Sequence, residues 1–595
     1  MPPTVSPQRS PARDDLTALV VLAAVWLLVI ALVGPGGDFP LNDDWAYAWS
    51  ARHLATTGEL RILDWAAPSL VTHIAWGALV VRIFGPSYVA LRVGTLAWGM
   101  AGLVLLYAIG RRSQLGVARA LLLALAVGLS PWYVNLSFSY MSDVPWLVMV
   151  LAALAAALSG GEKIRWHFFA GLLLGAAALA RQFAVVMSPA VLLLIVVDAR
   201  AAAPSKWLRR ALRDSAVFLV PLVILVTGFQ LWYGHVHGPT IANRLTWRRM
   251  GGLDPLLPIA HTLATWHYVG LWCAPWALAV LVAGRARREV SWRVAVVATL
   301  ALLGYSVAAW LGTVTDPTPA LGLNATLPPT MPYLGNLVYI LGAGPLTIYE
   351  SYIGHAPYLH RPVALGWALS GVTVVCGVIA GAWVLRAARS TWRFAVHAVT
   401  RDDEPRDRAR ARLLLLTSSV IYLGWHVATG SIVFDRYVFP LMPAVVWIAL
   451  DAAPLDLARS RVAIAAIAVM AIFSVGATRE YLGWNSARDH AVRDLEARGV
   501  SADGIDGGFE VNGPRHFSAY LARTGRLVGR QPTPWWVGGA RWRISFWPTS
   551  EPGCTTAAEY PFWSWPGGGA RAIRVIDCPA SVRFDVPPDE RSGVQ

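Results

Sequence analysis

Long apolar runs separated by short polar stretches occupy the chain from residue 16 to 477. Runs of this length with few charges predict membrane-spanning helices. Thirteen are expected, at 16–33, 88–110, 115–134, 143–159, 164–180, 183–198, 215–233, 266–284, 292–311, 363–385, 412–430, 437–453 and 461–477. The segment "APSLVTHIAWGALVVRIFG" (67–85) is also apolar, but it is short, and His73 and Arg82 interrupt it. It predicts a helix lying at the outer interface instead of a crossing. Past residue 478 the pattern changes. "PTPWWVGGARWRISFW" and "RAIRVIDCPASVRFDVP" alternate polar and apolar positions between turn residues, which predicts strands. The expected fold is an all-α polytopic membrane domain, residues 1–478, followed by an extracytoplasmic domain rich in β-strand, residues 479–595.

Composition supports the bilayer. Hydrophobic residues make up 56% of the chain and charged residues 14%, against about a quarter charged in soluble domains. The formal charge of +15 resides mostly in arginine clusters between the spans, so it reads as topology and not as nucleic-acid binding. With the N-terminus in the cytoplasm, one side collects Arg111/Arg112, Lys163/Arg165, Lys206/Arg209/Arg210/Arg213, Arg285/Arg287/Arg288/Arg293, "RDDEPRDRARAR" and Arg459/Arg461. That is the bias expected of a multi-pass protein of the plasma (inner) membrane. The first run lacks a small-x-small cleavage site and reads as an uncleaved span. Cys554 and Cys578 then fall in a compartment that permits disulfides and predict a bridge. Cys273 and Cys376, within apolar runs, are expected to be packing residues.

The outer loops hold few charges near the membrane, and these suggest chemistry. Asp43 and Asp44 in "LNDDWAYAW" open a short helix that Gly58 would end, so they could serve only as caps. They also suit a general base and a neighbour that orients it. Asp143 in "SYMSDVPW" either starts a helix, with Pro145 in its first turn, or joins the first two acids on the same face. Arg181 in "LARQFAV" and Arg436 in "FDRYVFPLMP" lie on the side where bases are disfavoured. One alone could snorkel to lipid headgroups; two beside acids suit a phosphate clamp, because guanidinium meets phosphate oxygens as a fork. Arg244, Arg248 and Arg249 read as a solvated loop. These parts fit a transfer in which an acid deprotonates an acceptor hydroxyl and arginines stabilise a departing phosphate. Such a site requires no energy source beyond the activated donor, and whether it uses a metal is left open, since arginine could replace one. A divalent cation, Mg²⁺ or Mn²⁺, would take Asp43 and Asp143 as ligands. Neither a P-loop nor a zinc pattern is present.

In order along the chain, "LNDDWAYAWSARHLATTGEL", the interfacial 67–85 segment, "SYMSDVPWLVM", "ALARQFAV" and "FDRYVFPLMPAVVWIAL" resemble a known family. It is the GT-C-fold glycosyltransferases of the protein O-mannosyltransferase and lipid A aminoarabinose transferase type, over roughly residues 16–477. The resemblance implies a polyprenyl-phosphate sugar donor and a glycan, lipid or protein acceptor. It also implies transfer on the periplasmic or lumenal face, generally with inversion. By position, Asp43 and Asp44 match the family's first-loop acidic pair, and Asp143 the acid after its third span. Arg181 stands where a lysine or other base meets donor phosphate, and Arg436 matches the arginine of "RY..P..P". The second acid is Asp where Glu is common, so which of the pair is the base stays open. Two other functions fit the residues: a flippase for lipid-linked sugars, whose ionisable groups would sit mid-membrane (His426 is the nearest instance), and a membrane anchor displaying a carbohydrate-binding domain.

Overall fold

The computed structural model describes residues 11–66, 69–161, 163–236, 257–315, 330–348, 363–398, 404–429, 434–524, 540–549, 551–566 and 568–579. The chain opens with α1 (Pro11–Val33), α2 (Asp44–Thr57), α3 (Val71–Phe84), α4 (Tyr88–Arg112), α5 (Val117–Gly128) and α6 (Pro131–Ser137). Then come α7 (Asp143–Ser159), α8 (Arg165–Ala180), α9 (Ser188–Ala202), α10 (Trp207–Val236), α11 (Leu257–Val282) and α12 (Trp292–Thr315). The longer helices that follow are α13 (Val363–His397), α14 (Arg406–Ala428), α15 (Met442–Ala452), α16 (Arg461–Ala497) and α17 (Phe509–Thr524).

Among the described residues, nine helices are long and apolar enough to cross a membrane, or ten if one bent pair forms a single span. The other three of the thirteen expected spans are short. Helices α7 and α8 have 17 and 16 residues, and α15 has 11, entered through two 3-10 turns. The expected span 115–134 is not one straight helix. It is α5 and α6, meeting at 63°, because Ser130 caps a new helix that starts with Pro131 and proline fits a first turn, not a helix interior.

The 67–85 segment forms α3, only 14 residues long, packed against α2, α4 and α8. Gly58 ends α2 with φ +76°, a left-handed conformation open to glycine. Helices α8 and α10 approach backbone to backbone: a Cβ on Gly171 would lie 1.9 Å from the carbonyl oxygen of Phe218. Small residues allow this kind of close helix packing in membranes. Among the described residues, Trp26, Trp132 and Trp447 are fully buried in the bundle. At the end of the bundle where α4, α7, α9 and α15 terminate, buried ion pairs gather the bases. Arg410 meets Asp198 at 2.8 Å and Arg412 meets Asp451 at 2.9 Å.

Helix α16 continues without a break from the last expected span to Ala497. A four-stranded sheet follows, β1 (Ile505–Asp506), β2 (Trp542–Ser545), β3 (Thr555–Trp563) and β4 (Ala570–Asp577). Its order is β1-β2-β4-β3, with β1 parallel to β2 and the other pairs antiparallel. Of the two segments expected to form strands, β2 and β4 lie within the described part, and 532–539 and 580–587 lie outside the described residues; the extension of α16 and the helix α17 were not part of the strand reading. Cys554 and Cys578 form a disulfide beside the Thr555–Asp577 pair of the β3–β4 hairpin. Cys273 and Cys376 are free and buried.

Candidate active site

The loop from α1 to α2 is shaped by two sets of hydrogen bonds to the start of α4. Arg92, buried in α4, donates from Nη1 to the carbonyls of Pro35, Gly36 and Gly37 at 2.7, 3.1 and 3.2 Å, and from Nη2 to that of Phe39 at 3.2 Å. Asp38 accepts from Ser87 Oγ and the Tyr88 N–H at the start of α4. The chain between is thereby folded back, delivering the acidic pair to the same end of the bundle as the starts of α7 and α15.

The two acids then part company. Asp44 is buried, and its oxygens accept backbone N–H groups from Leu41 (2.7 Å) and Tyr140 (3.3 Å). It therefore joins α2 to the turn before α7. Asp43, the N-cap of α2, makes no capping bond with its side chain. Its carboxylate turns the other way, accepting from Trp65 Nε1 at 3.0 Å and facing Arg436 Nη2 at 3.5 Å.

Burial pushes the Asp44 carboxyl up to about 8, against the two N–H bonds and the positive charge of Arg92, which pull it down. Its unfolded value is about 4. Between the two values the native state holds a proton that the unfolded chain has released. Stability should therefore fall as pH rises from about 4 to about 8 and level off above that. Asp44→Asn, neutral throughout, should flatten this slope in thermal unfolding of the detergent-solubilised protein at about pH 5 and pH 8. An unchanged slope would assign it to another group.

Asp143 and Arg181 form a tight buried ion pair, Oδ1 to Nη1 at 2.5 Å. Asp143 is in the first turn of α7, but its charge is used on Arg181 at the C-terminus of α8. Arg436 follows Asp435, which is fully buried and accepts from Trp132 Nε1 (2.9 Å) and the N–H groups of Leu337 (3.0 Å) and Val338 (2.9 Å). Burial raises Asp435 to about 6. These bonds fix the turn that aims Arg436. Its guanidinium lies 5.2 Å from the Phe434 ring and 5.5 Å from the Tyr437 ring, and Arg181 lies 5.9 Å from the same tyrosine.

Asp143, Arg181, Arg436 and Tyr437 line one pocket with Trp146, Phe183, Tyr422, Phe439 and Pro440. Asp43 reaches it through Arg436. Two acids and two guanidinium groups thus converge, as their shared sidedness in the sequence suggests. Arg436 Nε and Nη1 are buried and have no hydrogen-bond partner among the described residues, and the same is true of Asp143 Oδ2. Trp65 and Glu510 are not among the residues the sequence points to, and Asp435 is there only as an outer-loop charge beside Arg436. Trp65 and Glu510 carry no local signal.

As metal ligands, Asp43 and Asp143 fit poorly. Each already faces a guanidinium. Among the described residues, the group of three ligand-type side chains close enough to hold an ion is Glu551, Cys554 and Cys578, and its two sulfurs are bonded to each other.

Residues 68–232 match the family model described as dolichyl-phosphate-mannose-protein mannosyltransferase. Over that segment the resemblance read from the motifs is borne out. The segment carries Asp143 and Arg181, whereas Asp43 and Arg436 lie outside it. No curated protein matches the chain. Among solved structures, the chain is similar to the Saccharomyces cerevisiae protein O-mannosyltransferase Pmt1–Pmt2 complex bound to the sugar donor, at 16% identity and a TM-score of 0.32. That similarity covers 39% of this chain and 35% of the yeast chain, so this chain spans about a third of that relative's length. It is also similar to ArnT from Cupriavidus metallidurans bound to undecaprenyl phosphate, at 13% identity and a TM-score of 0.33, covering 94% of this chain and 98% of that one. A third is the archaeal oligosaccharyltransferase AglB from Archaeoglobus fulgidus, at 14% identity and a TM-score of 0.39, covering 87% and 60%.

Proposed function

We propose that the protein is a membrane glycosyltransferase that moves a sugar from a polyprenyl-phosphate donor to an acceptor hydroxyl on the outer face of the membrane. The observation that carries this is Arg436, whose guanidinium approaches Asp43 with one nitrogen and leaves two buried nitrogens unpartnered at the Arg181 pocket. A buried cation with open donors calls for an anion, and a phosphate oxygen matches it in charge and shape. The family match over residues 68–232 supports a glycosyl donor of the lipid-phosphate class. The outer location is supported by the separation of this site from the end of the bundle that collects the arginine clusters.

In the proposed step, Asp43 accepts the proton of the acceptor hydroxyl. The oxygen bonds to the anomeric carbon as the bond from that carbon to the donor phosphate breaks. The electron pair stays on the phosphate, and polyprenyl phosphate leaves. Attack opposite the departing phosphate inverts the anomeric centre. Arg436 and Arg181 stabilise the charge that grows on the leaving oxygen, each such contact contributing about 2.7–4 kcal/mol when well placed. Asp143 holds Arg181 in position. Because Arg436 and Arg181 face the phosphate and both acids already face guanidinium groups, the proposed reaction uses no divalent cation, and transfer should persist in a chelator such as EDTA.

The test is an assay of the purified protein in liposomes with a radiolabelled polyprenyl-phosphate sugar. Label should pass to an acceptor in cell-envelope extract. Label that only crosses the bilayer would instead make the protein a flippase.

A further inference from the structure

The C-terminal segment reaches the loop that carries Asp43. Glu510, in the first turn of α17, is buried, and its Oε1 accepts the backbone N–H of Asn42 at 3.0 Å, across 468 residues of sequence. Its Oε2 accepts from Arg488 Nη1 at 2.8 Å and from the Thr347 hydroxyl. Arg488, on the extension of α16, is in turn held by Asn485 Oδ1 at 2.6 Å. One carboxylate therefore ties together the entry to α2, the 330–348 loop and α16. Asn42 sits at φ +55°, a left-handed conformation that asparagine adopts more readily than most residues other than glycine, and Glu510 holds its N–H from outside the loop. Helix α17 comes in close at Gly508, where φ is +84° and a Cβ would meet the Thr347 carbonyl oxygen at 2.3 Å.

A second path leads to the same carboxylate. Trp65, which donates to Asp43 Oδ1, packs on Phe509 and Phe517 of α17 with ring centroids 5.5 and 6.0 Å apart. Trp45, one residue past the acidic pair, packs on the same two rings at 6.1 and 5.9 Å. Backbone and side chain of Asp43 are thus both referred to α17.

We infer that Glu510 is a positioning residue for Asp43, and that the C-terminal segment sets the acceptor side of the active site. This rests on the reading of Asp43 as the base. A base displaced by about 1 Å can cost on the order of 10²-fold in rate, whereas Arg181 and Arg436 are held by α8 and by the Asp435 turn. The damage should therefore fall on kcat and spare donor binding.

Glu510→Ala and, for the aromatic path, Phe517→Leu test it in the full-length protein. Hydrogen exchange of peptides covering residues 38–47 should speed up about tenfold in Glu510→Ala, with peptides from α7 and α8 unchanged. In the transfer assay, kcat should fall about 10–10²-fold in Glu510→Ala and severalfold in Phe517→Leu. Binding of polyprenyl phosphate to both should stay within twofold of the parent. If Glu510→Ala fails to fold, Phe517→Leu decides on the same kinetic readouts. Parent-like kcat in a folded variant, or donor binding lost in proportion to rate, overturns the inference. The exchange experiment does not depend on transfer, so failure of the parent protein to transfer would sink the proposed function while leaving the positioning claim to be judged on 38–47 protection.

Discussion

Asp43→Asn should abolish sugar transfer, lowering kcat by about 10²–10⁴-fold, the usual contribution of a positioned general base, with no loss of folded protein. The asparagine is nearly the same shape, and its amide oxygen can still accept from Trp65 Nε1, the 3.0 Å bond that orients the carboxylate. What it cannot do is take a proton at working pH. Its side chain is partly exposed in a loop held independently by Arg92, through four carbonyls, and by Asp44, so the fold does not depend on the charge. The check is transfer kinetics beside size-exclusion yield and thermal midpoint. A folded Asp43→Asn protein with parental activity would refute the role. Asp44→Asn, by contrast, should act through stability and its pH slope, because Asp44 is sealed from the pocket.

Arg436→Ala should weaken donor use by about 10²–10³-fold in kcat/KM, as expected for removing one preorganised group that stabilises developing charge. It is a cleaner probe than Arg181. Truncating Arg181 leaves Asp143 buried beside an empty place at 2.5 Å, and an orphaned buried charge costs about 3–5 kcal/mol of stability. Arg436 stands 3.5 Å from Asp43, which keeps Trp65 as a partner. Arg436→Lys restores charge without the fork and should recover only part of the loss. Titration with polyprenyl phosphate, followed by kinetics in donor concentration, separates binding from chemistry. An unchanged donor affinity and kcat/KM in Arg436→Ala would remove this arginine from the phosphate site.

The hydrophobic pattern reads the bundle well where tertiary structure has little say. The runs 88–110 and 292–311 became helices at nearly those bounds, because an unbroken apolar stretch leaves the backbone no alternative in a bilayer. It fails where one residue redirects the chain. Pro131 splits an apolar run that no average over hydropathy could divide, and α16 runs far past the point where its sequence turns polar. Helix propensity does not end where hydrophobicity does.

The site shows the same division. That Asp43, Asp44, Asp143, Arg181 and Arg436 share one side follows from sequence alone, since each adjoins an apolar run and the crossings set its face. Which acid meets the pocket does not follow. Neighbours at a helix start point about 100° apart, so one turned to Arg436 and the other to the backbone of Tyr140, a choice made by how α2 packs. Likewise Glu510 bears on Asp43 only because α17 is brought back across 468 residues to Asn42. Local chemistry is written in the order of residues. The pairing of distant groups is decided by the packing that buries them together.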